Sequence, residues 1–201
     1  MPAGGRGSGA RAPLPLLAGF ALFVAGLVYL VTMSLTRRDA PVFTPSAVAR
    51  ARSPGWEQAG DTLTLDATDT ERWRFVSLSL GHALTGSDTA RWELAVRRFH
   101  LDAAGALADL GPVPFADARL GGSTRFISSP RGETGNEAIR RWYTYSFLTH
   151  LLTPNDHVYA LRTRDGQLWK LQLLGYYCPR LIAGCVTLRY APLARGRPGA
   201  S

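Results

Sequence analysis

From Trp142 to Thr149 large residues alternate with small polar ones, Tyr143, Tyr145 and Phe147 against Thr144 and Ser146. That is the period of a half-buried strand. Pro154-Asn155-Asp156 breaks the run with turn formers. The strand pattern resumes from His157 to Thr163 and again from Leu168 to Tyr177. Between these two, Asp165-Gly166 predicts a tight β-hairpin with a type I′ turn, because glycine tolerates positive φ. In the last run Trp169, Leu171 and Leu173 should share one face, with Lys170 and Gln172 on the other. Upstream, Thr62–Ala67, Trp73–Leu78 and Trp92–Leu101 read as further strands. Gly86-Ser87-Asp88, Gly121-Gly122-Ser123 and Ser129-Pro130-Arg131-Gly132 read as turns, and Gly105, Gly111, Pro112 and Pro114 break up a loop region. No stretch of this part keeps a 3.6-residue period over three turns. The prediction is an all-β, antiparallel domain.

One stretch follows a different rule. Leu14–Leu35 contains 22 residues without a charge, inside an uncharged interval of 25 from Ala12 to Thr36. About 20 apolar residues in a helix cross a bilayer core. A cleaved signal peptide has an apolar region of about 7–15 residues and a small-residue cleavage site. This run is longer, and Thr36-Arg37-Arg38-Asp39 behind it is a poor site. The expectation is an uncleaved signal anchor, a transmembrane helix over 14–36. Ala18, Ala21, Ala25 and Gly26 fall close to one helical face. Small residues let helices approach closely in lipid, though they are also ordinary in membrane spans. Around the helix the expected organisation is a disordered tail over 1–13 and a proline-containing linker over 37–60. The β domain follows over 61–193, then a polar tail over 194–201.

Orientation is set by competing signals. Arg6 and Arg11 precede the span, and Arg37, Arg38, Arg50 and Arg52 follow it. The simple count places the C-terminal side in the cytoplasm. The short N-terminal tail, however, carries two Arg, the α-amine and no acid, so moving it across is costly. The expected topology is a single pass of a bacterial inner membrane with a periplasmic C-terminal domain.

The net charge of +8 comes from 22 Arg and a single Lys. The arginines are spread along the chain without a basic run or a recognition-helix pattern, which argues against nucleic acid as a partner. Cys178 and Cys185 are the only cysteines. They follow one strand and precede another around Pro179 and Gly184, so a bridge closing a small loop fits; two unreacted thiols are the other reading. Two cysteines alone do not make a structural zinc site. A bridge would imply an oxidising compartment.

The residues Trp142-Tyr143-x-Tyr145, Thr149-His150, Pro154-x-Asp156 and Val158-Tyr159-x-Leu161-Arg162-Thr163-x-Asp165-Gly166 occur in that order. Lys170-Leu171-Gln172 and Tyr176-Tyr177 follow them. Together this pattern resembles the HmuY-like family, all-β exported proteins named for a bacterial haem-binding protein. Trp92-Glu93-Leu94-Ala95 is similar to the family's Trp-Asp-Leu-Ala strand, with Glu93 where Asp is usual, and Thr187-Leu188-Arg189-Tyr190 to its closing strand. The resemblance covers about Trp73 to Pro192. It implies an antiparallel HmuY-like sheet and export from the cytoplasm, and the family's name invites a haem-ligation reading. A spanning helix stands where the family usually carries a lipid anchor.

Candidate chemistry is sparse. Of the four histidines, His82, His100, His150 and His157, the last two flank the turn at Pro154 among aromatics and are the candidate haem ligands. Haem ligation needs an imidazole presented into an apolar pocket. The Cys-x-x-Cys-His signature of covalent attachment is absent. So are a Gly-x-Ser-x-Gly elbow, a phosphate-binding glycine loop and a His-Glu-x-x-His zinc motif. Asp66, Asp69 and Glu71 read as a solvated acidic turn lacking the EF-hand pattern. Tyr143, Tyr145, Tyr159, Tyr176 and Tyr177 read as core and sheet-face aromatics. The role expected from these features is a non-catalytic accessory or scaffold subunit of an inner-membrane assembly, photosynthetic or respiratory electron transport being candidate hosts. Its partners would be membrane lipid and other subunits, with no cofactor. The alternative is a haem- or small-ligand-binding periplasmic protein.

Overall fold

The computed structural model describes residues 14–35, 40–46, 54–85, 91–128 and 135–194. The expected tail over 1–13, all but Ala194 of the tail expected over 194–201, the Arg37-Arg38 pair and the turns at 86–88 and 129–132 lie outside them. Two compact units result, Met1–Asp39 and Ala40–Ser201. The first holds helix α1, Leu14–Leu35. Its segment Leu14–Met33 is long and apolar enough to cross a membrane. Ala18, Ala21, Ala25 and Gly26 all lie on α1 and are exposed.

The second unit is built from antiparallel sheets. The largest joins six strands in the order β1 (Asp61–Asp66), β12 (Ile182–Pro192), β11 (Leu168–Cys178), β10 (Val158–Arg162), β6 (Ala106–Asp109) and β7 (Ile127–Ser128). A second sheet orders β3 (His82–Ala83), β2 (Arg74–Ser77), β4 (Leu94–Arg97) and β5 (His100–Ala103). A third is the small hairpin of β8 (Tyr143–Tyr145) and β9 (Leu152–Pro154). Period-2 alternation does the sorting: Leu63, Leu65, Leu161, Leu171 and Leu188 from the large sheet meet Val76, Leu94, Val96 and Leu101 from the second in one buried core. Trp142 is fully buried in that core.

β10 is buried on both faces, because the loop after β6 folds over the outer one. Phe115 and Ala118 pack on Val158 and Ala191 there, and Leu120 and Phe126 pack on Ala108 and Ala160. That cover changes the fate of Lys170. Placed by sequence on a polar face, it is 4% exposed. Its Nζ donates to the Phe115 carbonyl at 2.9 Å and lies 4.6 Å from the Phe115 ring. Burial, and then the Arg189 charge, push its pKa down.

The β10–β11 hairpin forms as expected, with Arg162 opposite Leu168, but its turn is longer than a two-residue type I′. Thr163 N–H donates to the Gln167 carbonyl and Gly166 N–H to the Thr163 carbonyl, and only Gly166 in the loop has positive φ, at 81°. That is a type I turn followed by a left-handed glycine. The strand expected over Trp142–Thr149 is also shorter. It ends at Tyr145, and 146–151 turn back, closed by Ser146 N–H to the Leu151 carbonyl.

Part of the interval expected as linker is built into the domain. Ala40 packs on the core. Val42 bridges Tyr177 in parallel, and Phe43 N–H donates to the Tyr177 carbonyl at 2.8 Å. Short helix α2, Trp56–Ala59, places Trp56 with its ring 6.3 Å from that of Trp169. Cys178 and Cys185 form a disulfide across seven positions. A loop of that length contributes about 2 kcal/mol by restricting the unfolded chain.

Candidate functional site

The segment 136–143 is far in sequence from β5, and two hydrogen bonds bring it there. Asn136 N–H donates to the Leu101 carbonyl at 2.8 Å. Trp142 Nε1–H donates to the Phe99 carbonyl at 2.8 Å. The Trp142 ring then meets Tyr143 edge-on at 5.2 Å and Tyr176 at 6.0 Å. A buried indole usually finds a partner for its one donor, and here that bond ties the two segments together. The result is a cleft of about 350 Å³ lined by Phe99, His100, Leu101, Arg140, Arg141 and Tyr143. Phe99 packs on the His100 ring at 4.3 Å and against Tyr143 edge-on at 5.8 Å. Arg140 pairs with Glu137 at 2.9 Å, both half in solvent, an exposed pair that contributes little to stability.

Chemically the cleft gathers an imidazole, a phenol, an apolar ring and two guanidinium groups. An imidazole or phenol can ligate haem iron, and guanidinium forks take carboxylates. That donor set fits a flat, conjugated, anionic ligand.

The histidines chosen from sequence are not brought together. His150 sits exposed in the turn of the β8–β9 hairpin at φ 56°, with Nδ1 2.6 Å from the Tyr145 hydroxyl. His157 lies past the other end, its Nδ1 held 2.9 Å from Asp109. The length of the hairpin separates them. His82 faces the Leu80 carbonyl through Nδ1. His100 lines the cleft instead, and nothing local in the sequence links Phe99-His100 to Arg140-Arg141. Two buried tyrosines are set aside as phenolate donors. Burial pushes Tyr159 up to about 12 and raises Tyr176 as well. Asp66 and Asp69 cap their own turn, accepting from Thr68, Glu71 and Arg72. Those bonds hold both carboxyls below their usual range. Among the described residues no group of three or more His, Cys, Asp or Glu could hold a metal.

A larger cleft, about 630 Å³, lies between Trp92, Asp102–Ala106, Ser128 and Arg162–Arg164. Arg164 donates from Nε to the Ala104 carbonyl and covers the Trp92 ring at 5.6 Å. No imidazole or thiol lines it, so it offers no soft metal ligand.

The chain matches no family model and no curated protein. Solved structures do resemble it. A protein of Bacteroides vulgatus described as HmuY-like and haem-binding superposes with a TM-score of 0.57 at 20% identity, covering 72% of this chain and 97% of that one. The apo HmuY analogue of Tannerella forsythia gives 0.55 at 15%, covering 68% and 96%. A Bacteroides fragilis protein described as a lipoprotein gives 0.51 at 18%, covering 64% and 86%. At these identities the likeness is one of architecture, and it agrees with the motif order from Trp73 to Pro192. The β domain of this protein has the HmuY-like fold.

Proposed function

We propose that this chain is an exported, membrane-anchored, non-enzymatic binding protein whose β domain takes a planar anionic ligand of the haem class. The observation that carries the reading is the cleft that gathers His100, Phe99, Tyr143, Arg140 and Arg141. His100 would hold the metal. Phe99 and Tyr143 would wall the ring, and the two arginines would take its carboxylates. A bound haem would supply the redox-active iron; the chain's residues bind and orient it. The neighbours described as HmuY-like favour this over an accessory subunit of an electron-transport complex, for which neither they nor the cleft offer support.

The test is a hemin titration of the full chain in micelles, read at the Soret band against empty micelles. We expect a shift with wild type, lost in His100→Ala and kept in His150→Ala and His157→Ala. No shift over empty micelles sinks the ligand class. A shift surviving His100→Ala but lost in either other variant moves the iron to the hairpin histidines.

In this reading α1 stays in place as a single inner-membrane pass and the β domain lies in the periplasm, where the Cys178–Cys185 bridge forms readily. A C-terminal alkaline phosphatase fusion should then be active in cells. A silent fusion, with a cytoplasmic reporter active instead, would reverse the topology.

A further inference from the structure

Among the described residues of the β unit, the large apolar side chains left exposed are few. Phe147 is 83% and Leu148 65% exposed, at the turn of the β8–β9 hairpin. Tyr145, Val42, Leu181 and Ile182 are exposed as well. Tyr177 ties together the elements that carry them. Its hydroxyl accepts from Leu152 N–H at 2.8 Å, and Leu152 is the partner of Tyr145. Its backbone bridges Val42 and pairs with Ala183, next to Ile182 opposite Cys178. Leu80, on the turn between β2 and β3, is exposed too but has no link to this group.

The same end of the unit receives the incoming chain. Ala40 packs on the core, and only 36–39 separate it from Leu35, the last residue of α1. Five residue steps reach at most about 18 Å. An apolar hairpin tip tethered that closely to a membrane span has the bilayer as its nearest apolar solvent. Charge around the patch is mixed: Arg180 lies beside Leu181 and Arg98 donates to the Ala183 carbonyl next to Ile182, while Asp66 pairs with Cys185 in the ladder. Insertion would be apolar in origin.

We infer that the β8–β9 turn, through Phe147 and Leu148, inserts into the bilayer that holds α1, with the Leu181-Ile182 loop resting beside it. Aromatic and leucine side chains at an interface are the residues such insertion uses.

The experiment uses the full chain reconstituted in phosphatidylcholine vesicles, with the native disulfide intact. Leu148→Cys and, separately, Leu80→Cys are labelled with an environment-sensitive fluorophore under non-reducing conditions. Nitroxide-bearing lipid is then added. The expected result is blue-shifted emission at position 148, quenched by the nitroxide, and neither effect at position 80. Unshifted emission at 148 overturns the inference. So does a blue shift that nitroxide lipid does not quench, because protein, such as a second copy of this chain, would then cover the tip. Neither outcome depends on hemin binding.

Discussion

Trp142→Ala is expected to be among the most destabilising single substitutions in the β domain. Its side chain is fully buried, touches Tyr143 and Tyr176 and supplies the bond to the Phe99 carbonyl. Removing a buried tryptophan costs about 3–5 kcal/mol, and the lost bond to the half-buried Phe99 carbonyl is part of the damage. For a chain of this length about 4 kcal/mol lowers the melting temperature by roughly 8–16 °C. Near-UV circular dichroism of the full chain in micelles would follow the melt. Trp142→Phe keeps most of the packing and loses only the indole donor, so its loss should stay near 1–2 kcal/mol. The order alanine worse than phenylalanine is required; equal melts would mean that the indole bond, and not the packing, holds the two segments together.

Gly135→Ala should lose about 2–4 kcal/mol, from a positive φ that costs an L-residue about 1 kcal/mol and from a backbone collision. Gly135 has φ +78°, and a Cβ there would lie 2.5 Å from the Leu101 carbonyl oxygen. The neighbouring Asn136 N–H bonds that same oxygen, so relief by movement breaks the contact that sets one wall of the cleft. Gly166 provides the comparison. Its φ is +81° with open space around the added atom, and Gly166→Ala should cost only about 1 kcal/mol. Denaturant midpoints of the two variants check this. A Gly135→Ala midpoint no lower than that of Gly166→Ala would show that β5 yields easily, and the cleft would then be a pliable feature.

Local pattern decided a good deal of this protein. A long uncharged run can only be apolar-solvated or buried, and Leu14–Leu35 is a helix of the length a bilayer requires. Alternation at period two marks strands whatever they pair with, so β1, β4, β10 and β11 were legible from their residues. The cysteine spacing, between a strand's end and its neighbour's start, left a bridge as the simplest reading, and the bridge forms. The ordered motif from Trp73 to Pro192 carried the fold class because it records strands, turns and aromatics together.

What the sequence could not decide is which faces are covered and which distant segments meet. Alternation around Trp142 suggested that Tyr143, Tyr145 and Phe147 share a buried face; in the structure Trp142 goes inside and Phe147 out, because the indole is claimed by Phe99, 43 positions away. Lys170 looked solvated, yet the loop carrying Phe115 closes over it. His100 looked idle and His150 and His157 looked paired; packing put the first in a cleft with two arginines and left the others at opposite ends of a hairpin. Each outcome depends on a contact between residues far apart along the chain. Periodicity constrains a residue against its near neighbours only, so the choice of partner is made by the packed core.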